Sequence, residues 1–220
     1  LQAGEGGALA DALEVGRDVT AVRCRQDAKE GGDGGGAAAP DLWRAAGEPI
    51  SGAECALAFA GGYSIAVRAV CSRDDLVGEV CAALASSLGL AVAANLYLTP
   101  AGAKGLACHV DDHCVVVLQL EGSKSWEVYA PATEGDELPR LYSSCPCPLA
   151  LPEPSIFSLH PGDVLYVPRG WPHHASAGSD GPSTHLTLAL EADLSTLWEG
   201  ALHVALRAWD SEGAMAELGQ

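Results

Sequence analysis

The pattern of apolar and polar positions changes its period near residue 90. Before that point, the segment DDLVGEVCAALASSLG places apolar side chains at helical spacing, namely Leu76, Val77, Val80, Cys81, Leu84 and Leu88. Asp74 or Asp75 is a typical helix N-cap, and Gly89 is a typical residue at which a helix stops. The pattern therefore predicts an amphipathic helix that covers part of a core.

From Ala93 to Leu190 the chain contains short apolar runs separated by Pro, Gly and Ser, which is typical of strands and turns. The predicted strands lie in ANLYLTP, HCVVVLQLEG, KSWEVYAP, SIFSLHPGD, VLYVPRG and STHLTLALE. Many short strands joined by turns predict a mainly β fold of the sandwich or jelly-roll type.

Two further segments differ in composition from this β region. The glycine-rich segment from Lys29 to Pro40, KEGGDGGGAAAP, offers almost no side chains for packing and predicts a flexible loop. After the β region, apolar residues return to helical spacing and predict a helix that packs on the barrel or on another subunit, at Leu194, Leu197, Trp198, Leu202, Leu206 and Trp209.

Length and charge narrow the class of protein. The 220 residues, 48% of them hydrophobic, are enough for one main domain. The formal net charge of −17, with only 12 basic residues, opposes direct nucleic-acid binding and suits a basic protein partner. Acidic residues that simply keep the surface soluble are an alternative explanation of the same charge.

The chain termini and the apolar runs suggest a location. We expect a soluble intracellular protein, because the chain shows no signal-peptide pattern and no apolar run long enough to span a membrane. The sequence does not begin with Met, which suggests an incomplete chain.

The eight cysteines do not follow a disulfide or zinc pattern. Cys24, Cys55, Cys71 and Cys81 stand among apolar neighbours, so we expect them to be buried thiols. Cys145 and Cys147 are closer in sequence than the usual zinc pair and have no second pair nearby, which argues against a zinc ribbon.

The segment GLACHVDDHC contains a candidate metal site. In a strand, His109 and Asp111 would project from the same face, because alternate side chains share a face. A distant histidine would complete the two-histidine, one-carboxylate set that holds Fe(II). His-x-Asp alone is common, and by itself it more often marks a surface or turn hydrogen bond than a metal site.

The second segment, LHPGDVLYVPRGWPHHASAG, supplies that distant histidine as His173 or His174 on a neighbouring strand. Asp112 would face away from His109, and His113 would lie about 13 Å along the strand, so we expect structural roles for both.

A third feature is Lys124, which alternates with Trp126 and Val128 and so stands on the apolar face of its strand. Burying an unpaired ammonium is costly. The side chain therefore either extends to the rim of the barrel or meets a buried anion, which a dicarboxylate cosubstrate would supply.

Together these motifs resemble the JmjC-domain ribosomal oxygenases, whose animal members are nuclear or nucleolar histidyl hydroxylases, also described as histone lysine demethylases. The similarity is greatest from Asn95 to Leu190, in NLYLTPAGAKGLACHVDDHCVVVLQLEGSKSWEVYAP, LHPGDVLYVPRGWPHHA and STHLTLALE. The resemblance implies a double-stranded β-helix, a cupin-like jelly roll with flanking helices. It also implies Fe(II), 2-oxoglutarate and O₂ as cofactor and cosubstrates, and a location in the nucleus or nucleolus.

The resemblance also assigns roles to individual residues. It makes His109, Asp111 and His173 the iron ligands, and it favours His173 over His174 because the family ligand stands three residues after the Gly of PRG. Lys124 would pair with the distal carboxylate of 2-oxoglutarate.

Three further residues match family positions around the cosubstrate. Tyr97 and Thr187 would support the same carboxylate by hydrogen bonds, and Asn95 would be a polar residue near the metal. Without the resemblance, Tyr97 and Thr187 would be interpreted as ordinary barrel residues.

The function implied is hydroxylation of a protein side chain, above all a histidine of a ribosomal protein. The alternatives are a histone lysine demethylase of the JmjC type and a cupin-like metal-binding protein without oxygenase activity. A zinc site is a further alternative, which we disfavour because its four ligands cannot all converge from one strand, namely Cys108, His109, His113 and Cys114.

The same resemblance divides the chain into three regions. Residues 1–92 would form flanking helices, strands and the glycine-rich loop, 93–191 the β-helix core, and 192–220 the start of a helical region through which a homodimer forms. The chain departs from the family pattern at Gly31 to Gly36, where members have substrate-facing residues.

Overall fold

The computed structural model describes residues 13–24, 41–131, 145–146 and 151–191. Two helices lie in these ranges, α1 (Gly52–Ala60) and α2 (Asp75–Leu88), with a short 3₁₀ turn at Val70–Ser72. The strands of the described part are β1 (Leu13–Glu14), β2 (Val19–Arg23), β3 (Asp41–Leu42), β4 (Pro49–Ile50), β5 (Ser64–Val67), β6 (Ala91–Thr99), β7 (His109–Val110), β8 (Cys114–Glu121), β9 (Lys124–Val128), β10 (Cys145–Pro146), β11 (Ser155–Leu159), β12 (Val164–Val167), β13 (His173–Ala177) and β14 (Ser183–Glu191).

Two antiparallel sheets form the body of the molecule. The larger has seven strands in the order β12-β8-β14-β6-β5-β2-β3, and the smaller has five in the order β10-β7-β13-β9-β11. One buried cluster joins their facing sides, with Val117 and Val167 from the larger sheet and Trp126 and Val128 from the smaller. The mainly β, cupin-like fold is thus confirmed, and each of the six predicted strand segments contains a strand.

Helix α2 has the bounds that the sequence predicts. The Asp74 side chain accepts from the Val77 backbone N–H at 3.0 Å, and Gly89 ends the helix at a φ of 68°. Its buried Cys81 packs on Ala94, Leu186 and Leu188 of the larger sheet.

The apolar stripe of α2 is covered only in part. The amphipathic helix is as predicted, but Leu76 is 70% exposed and Leu88 is 50% exposed, so these two positions of its stripe do not pack on the sheet. A helix lying on a sheet makes contact along one line, and here Val77, Cys81 and Leu84 follow that line.

The resemblance implies flanking helices within residues 1–92, but the sequence analysis did not locate helix α1, although its start has a recognisable signature. Ser51 and Glu54 form a capping box, in which each side chain accepts from the other's backbone N–H. The helix contributes its buried Ala58 to a second core, which also contains Val19 and Ile65 of the larger sheet.

The expectation of four buried thiols is correct only for Cys81. Cys24, Cys55 and Cys71 are half-buried, because apolar neighbours in sequence do not guarantee that both sides of a residue are covered. Cys108, for which no disulfide was expected, is disulfide-bonded.

Some predictions fall outside the described residues. These are the loop at Lys29–Pro40, the C-terminal helix and dimerisation region at 192–220, and Cys147, so the proposed domain boundaries stay predictions. Among the described helices, none has the length and apolar character that a membrane span requires.

Candidate metal and cosubstrate site

A cavity opens between the two sheets and contains most of the side chains that the sequence analysis selects. Its empty space, including the open mouth, is about 620 Å³. Both sheets contribute to its wall, through Tyr97, Thr187, His109, Asp111, Lys124 and His173.

His109, Asp111 and His173 meet in this cavity. One potential ligand atom from each lies within 4.8 Å of the other two. His109 and His173 are directly opposite each other in the β7–β13 pair, and their Nε2 atoms lie 3.8 Å and 3.6 Å from the two Asp111 carboxylate oxygens. Two imidazoles and one carboxylate are therefore placed to share a single metal ion.

Backbone carbonyls set the orientation of both imidazoles. His109 Nδ1 lies 2.9 Å from the Ala107 carbonyl, and His173 Nδ1 lies 2.9 Å from the Trp171 carbonyl. A carbonyl oxygen only accepts, so each Nδ1 donates a proton and each Nε2 keeps its lone pair. Both lone pairs are thereby on the side of Asp111.

The position of Asp111 differs from the sequence prediction. Strand β7 ends at Val110, so Asp111 lies just beyond the strand that was expected to hold both ligands. Its backbone carbonyl instead accepts from the Gly170 N–H at 3.0 Å, in the turn that precedes His173. This bond ties the two ligand-bearing segments together.

The electrostatics of the site favour neutral imidazole at His173. Burial, and next the neighbouring His109, lower the pKa of His173 to about 4. A neutral ring with a free Nε2 is the form that binds a metal ion.

Lys124 is buried in the same cavity, with 5% of its surface exposed. Its Nζ donates to Thr99 Oγ1 at 2.9 Å and lies 3.4 Å from His185 Nδ1. Within the described ranges no carboxylate forms an ion pair with it, and burial lowers its pKa to about 7. The interpretation in which this side chain extends to the rim is therefore wrong.

Tyr97 and Thr187 both line the cavity, whereas Asn95 is not part of the wall formed by the described residues. The Tyr97 ring is stacked on His185, with centroids 4.9 Å apart, and burial raises the pKa of its phenol. Asn95 Oδ1 accepts from the Ala69 backbone N–H at 3.1 Å, which binds β6 to the preceding turn.

Sequence reasoning missed the two residues whose side chains contact the Lys124 ammonium, Thr99 and His185. Thr99 is two positions after Tyr97 on β6, and His185 is two positions before Thr187 on β14, so each shares a face with a residue already selected. Strand alternation was the signal that could have found them.

The other candidate ligands are engaged elsewhere. His113 Nδ1 lies 3.0 Å from Asp112 Oδ1, and His174 Nε2 lies 3.4 Å from Glu127 Oε2, although part of residue 174 borders the cavity. The zinc alternative is not supported, because Cys108 is disulfide-bonded and the described residues form a single convergent group, which is the one above.

The sequence of the chain is similar to proteins of a known family. A family model for the JmjC domain matches residues 73–196. The bifunctional lysine-specific demethylase and histidyl-hydroxylase NO66 of Dictyostelium discoideum is 42% identical over 114 residues, which are 51% of this chain and 22% of that protein. Ribosomal oxygenase 1 of Gallus gallus is 37% identical over 132 residues, 60% of this chain and 22% of that protein. The chain thus spans about a fifth of the length of these relatives.

Solved structures share the fold at lower identity. Escherichia coli ycfD superposes with a TM-score of 0.58 at 20% identity, covering 91% of this chain and 48% of that one. A structure of the same ribosomal oxygenase in complex with cobalt and 2-oxoglutarate has a TM-score of 0.52 at 20% identity, covering 87% and 45%.

Proposed function

The chain belongs to the JmjC domain family, and from this premise we propose that it is an Fe(II)- and 2-oxoglutarate-dependent oxygenase that hydroxylates a histidine of a basic ribosomal protein. The observation that supports the proposal most is the presence of two complementary groups in one cavity. One is the convergent set of His109, Asp111 and His173, and the other is the buried cation of Lys124.

The donor set fits ferrous iron. Two imidazole nitrogens and one carboxylate form the facial triad of non-haem Fe(II) oxygenases, which leaves coordination positions open for cosubstrate and oxygen. The site has no thiolate among its convergent ligands, as expected for iron of this class rather than structural zinc.

The remaining wall of the cavity fits a dicarboxylate. Among the described residues, the buried Lys124 ammonium has no anion beside it, and two further buried polar atoms, Ser64 Oγ and Trp126 Nε1, have no hydrogen-bond partner. Buried polar atoms are normally paired, so a polar ligand in this cavity would complete them.

The distance between the two groups suits one small molecule that reaches both. The Trp126 ring centroid lies 6.0 Å from that of His173 and 5.9 Å from Lys124 Nζ, so Trp126 borders both ends of the space. A cosubstrate would lie along this ring, with its distal carboxylate at Lys124 and its 2-oxo acid end at the metal ligands.

The protein residues position the reactants and exclude water. When bound, iron and 2-oxoglutarate supply an oxidising chemistry that inserts one atom of O₂ into a C–H bond, with CO₂ and succinate as products. His109, Asp111 and His173 would hold the metal, and Lys124, with Thr187 and Tyr97 beside it, would fix the cosubstrate. Val117 and Trp126, both buried, keep the surrounding wall dry.

The names of the relatives and the charge of the chain support the proposed substrate class. The matched proteins are named for histidyl hydroxylation and for the ribosome, and the net charge of −17 favours encounter with a basic partner. By the same resemblance we propose a nuclear or nucleolar location. Lysine demethylation is a second candidate, because the NO66 relatives are also named lysine-specific demethylases.

Mass spectrometry on candidate peptides tests this function. The protein is incubated with Fe(II), 2-oxoglutarate and ascorbate, together with either histidine-containing peptides of basic ribosomal proteins or methylated histone peptides. We expect a gain of one oxygen on a histidine, with stoichiometric succinate.

A test variant and a control variant distinguish loss of the metal site from the loss of any histidine. His173→Ala should abolish turnover, whereas His160→Ala, at an exposed histidine outside the cavity, should retain it. Loss of methyl groups from lysine with release of formaldehyde, and no histidine oxidation, would establish the demethylase instead. Metal binding without any 2-oxoglutarate turnover would point to a non-catalytic cupin-like protein.

A further inference from the structure

The hydrogen bonds of Lys124 leave part of its ammonium group unused. A protonated lysine has three N–H donors and no acceptor. One donates to Thr99 Oγ1 at 2.9 Å, and a second reaches His185 Nδ1 at 3.4 Å. The structure shows no further partner for Nζ among the described residues, so one donor remains for a ligand.

His185 is held rigidly at this place. The residue is 3% exposed, and its ring stacks on Tyr97 at an interplanar angle of 6° and lies at right angles to Trp126 at a centroid distance of 5.4 Å. Because an ammonium can only donate, the nearby Nδ1 must accept, which places the ring proton on Nε2.

The Nε2–H that results has no hydrogen-bond partner among the described residues, although His185 lines the cavity. A donor that lines the cavity without a protein partner can donate to the oxygen of a ligand placed there. Burial, followed by the charge of Lys124, lowers the pKa of His185 well below 6.5, which keeps the ring neutral and its tautomer fixed.

We propose that His185 is a positioning residue for the dicarboxylate cosubstrate: its Nδ1 aims the Lys124 ammonium, and its Nε2–H donates to the same distal carboxylate. The cosubstrate would thus meet two donors side by side, one charged and one neutral. This inference rests on the proposed function, which it extends to a residue without an assigned role.

The arrangement predicts a specific pH dependence of cosubstrate binding. Lys124 must be protonated to bind a carboxylate, and its pKa of about 7 in the free protein means that affinity falls as pH rises through neutrality. The acceptor His185 Nδ1 favours the charged lysine, so loss of this acceptor should move the fall in affinity to lower pH.

Other titratable groups share the cavity and must be considered in that profile. From β6 the group facing Lys124 is Tyr97, and from β14 it is His185. The rest of the titratable wall consists of His109, Asp111, His173 and His174. Comparing 2-oxoglutarate with a 2-oxo acid that lacks the distal carboxylate separates their effects. Both ligands bind through the same 2-oxo acid end.

The test measures binding and not turnover. Anaerobic calorimetry with the Fe(II)-loaded protein compares 2-oxoglutarate with 2-oxopentanoate, which has a methyl group in place of the distal carboxylate. His185→Phe removes both nitrogens but keeps an aromatic ring between Tyr97 and Trp126. His185→Gln keeps one acceptor and one donor, and His160→Gln is the matched control at an exposed histidine.

We expect His185→Phe to bind 2-oxoglutarate about 10- to 100-fold more weakly, since it loses hydrogen bonds to charged groups. Its affinity for 2-oxopentanoate should stay within about threefold of the wild-type value. That change is smaller than roughly 1.4 kcal/mol, the free energy that corresponds to a factor of ten. The pH profile for 2-oxoglutarate should move to lower pH in His185→Phe, and His185→Gln should restore most of the affinity and the original profile.

Three results would overturn the inference. They are wild-type 2-oxoglutarate affinity in His185→Phe, an equal loss for both ligands with an unshifted pH profile, and failure of His185→Gln to improve on His185→Phe. If the wild-type protein itself binds neither 2-oxo acid, the proposed function fails, and that outcome is distinct from all three.

Discussion

Replacing Lys124 with Met should have opposite effects on stability and on cosubstrate binding. Methionine has a similar length and an apolar end, so it fits a buried site without the cost of a charge. The structure places the Lys124 ammonium among Trp126, Thr99 and His185 with no anion beside it in the described residues. Such a site favours function over stability.

The expected change in the free energy of unfolding follows from the pKa of Lys124. A solvated lysine has a pKa of 10.5, and burial lowers that of Lys124 to about 7, which corresponds to about 5 kcal/mol at roughly 1.4 kcal/mol per pH unit. The unfolded chain binds more protons than the folded one between these values, so this penalty is complete below pH 7 and decreases as pH rises toward 10.5. The loss of a donor to Thr99 Oγ1 costs about 1–3 kcal/mol in the variant, which leaves a net gain of about 2–4 kcal/mol at pH 6.5.

Urea unfolding of the metal-free, cosubstrate-free protein at pH 6.5 and pH 9.5 measures this difference. Lys124→Met should be the more stable protein at pH 6.5, and most of its advantage should be gone at pH 9.5. The same variant should bind 2-oxoglutarate about 10- to 100-fold more weakly, with unchanged iron affinity. A variant that is less stable than wild type by the same amount at both pH values would show that Lys124 is not a destabilised buried cation.

Three further predictions concern other parts of the molecule. His173→Ala should lose both bound iron, measured by metal analysis, and succinate formation, whereas His174→Ala should keep them; the reverse result would reassign the ligand. Gly122→Ala should lower the free energy of unfolding by about 3 kcal/mol or more, because its φ is +64° and a Cβ would collide with the Pro182 carbonyl. Gly47→Ala, with a φ of +85° and open space, should cost only about 1–2 kcal/mol in the same urea titration, and equal losses would contradict the steric argument. Asp18→Asn should lower the melting temperature at pH 7, because Asp18 pairs with Arg17 and Arg73, and these contacts hold its pKa below the usual value of 3.8. That stabilisation is present above pH 3.8 and is lost as the pH falls further, so an unchanged difference between Asp18→Asn and wild type at pH 7 and pH 2.5 would argue against it.

Local sequence patterns determined the secondary structure of the β region and of α2. Strand β14 has the bounds of the segment STHLTLALE, and α2 begins and ends at the cap residues Asp74 and Gly89. Caps, turns and alternation act within a few residues, so they are visible in the chain itself. The same holds for Lys124, whose alternation with Trp126 and Val128 placed it on the buried face.

The sequence alone also determined which side chains could form the site, but not how they meet. His-x-Asp near residue 110 and a histidine near 173 are separated by more than sixty positions, and only the direct opposition of His109 and His173 across β7 and β13 unites them. The Gly170 to Asp111 backbone bond and the stacking of His185 on Tyr97 are likewise products of strand order.

Only the tertiary structure decided which residues are buried. Burial requires that a distant element packs on the face from which the side chain projects. Leu76 and Cys71 have apolar neighbours in sequence yet remain accessible, while Thr99 and His185 are polar and almost fully buried. Local pattern reports the face on which a side chain stands, whereas exposure depends on what packs against that face. Thr99 and His185, the polar residues beside Lys124, come together because β14 pairs with β6 and β8. The register of that pairing is set between strands that are distant in the chain.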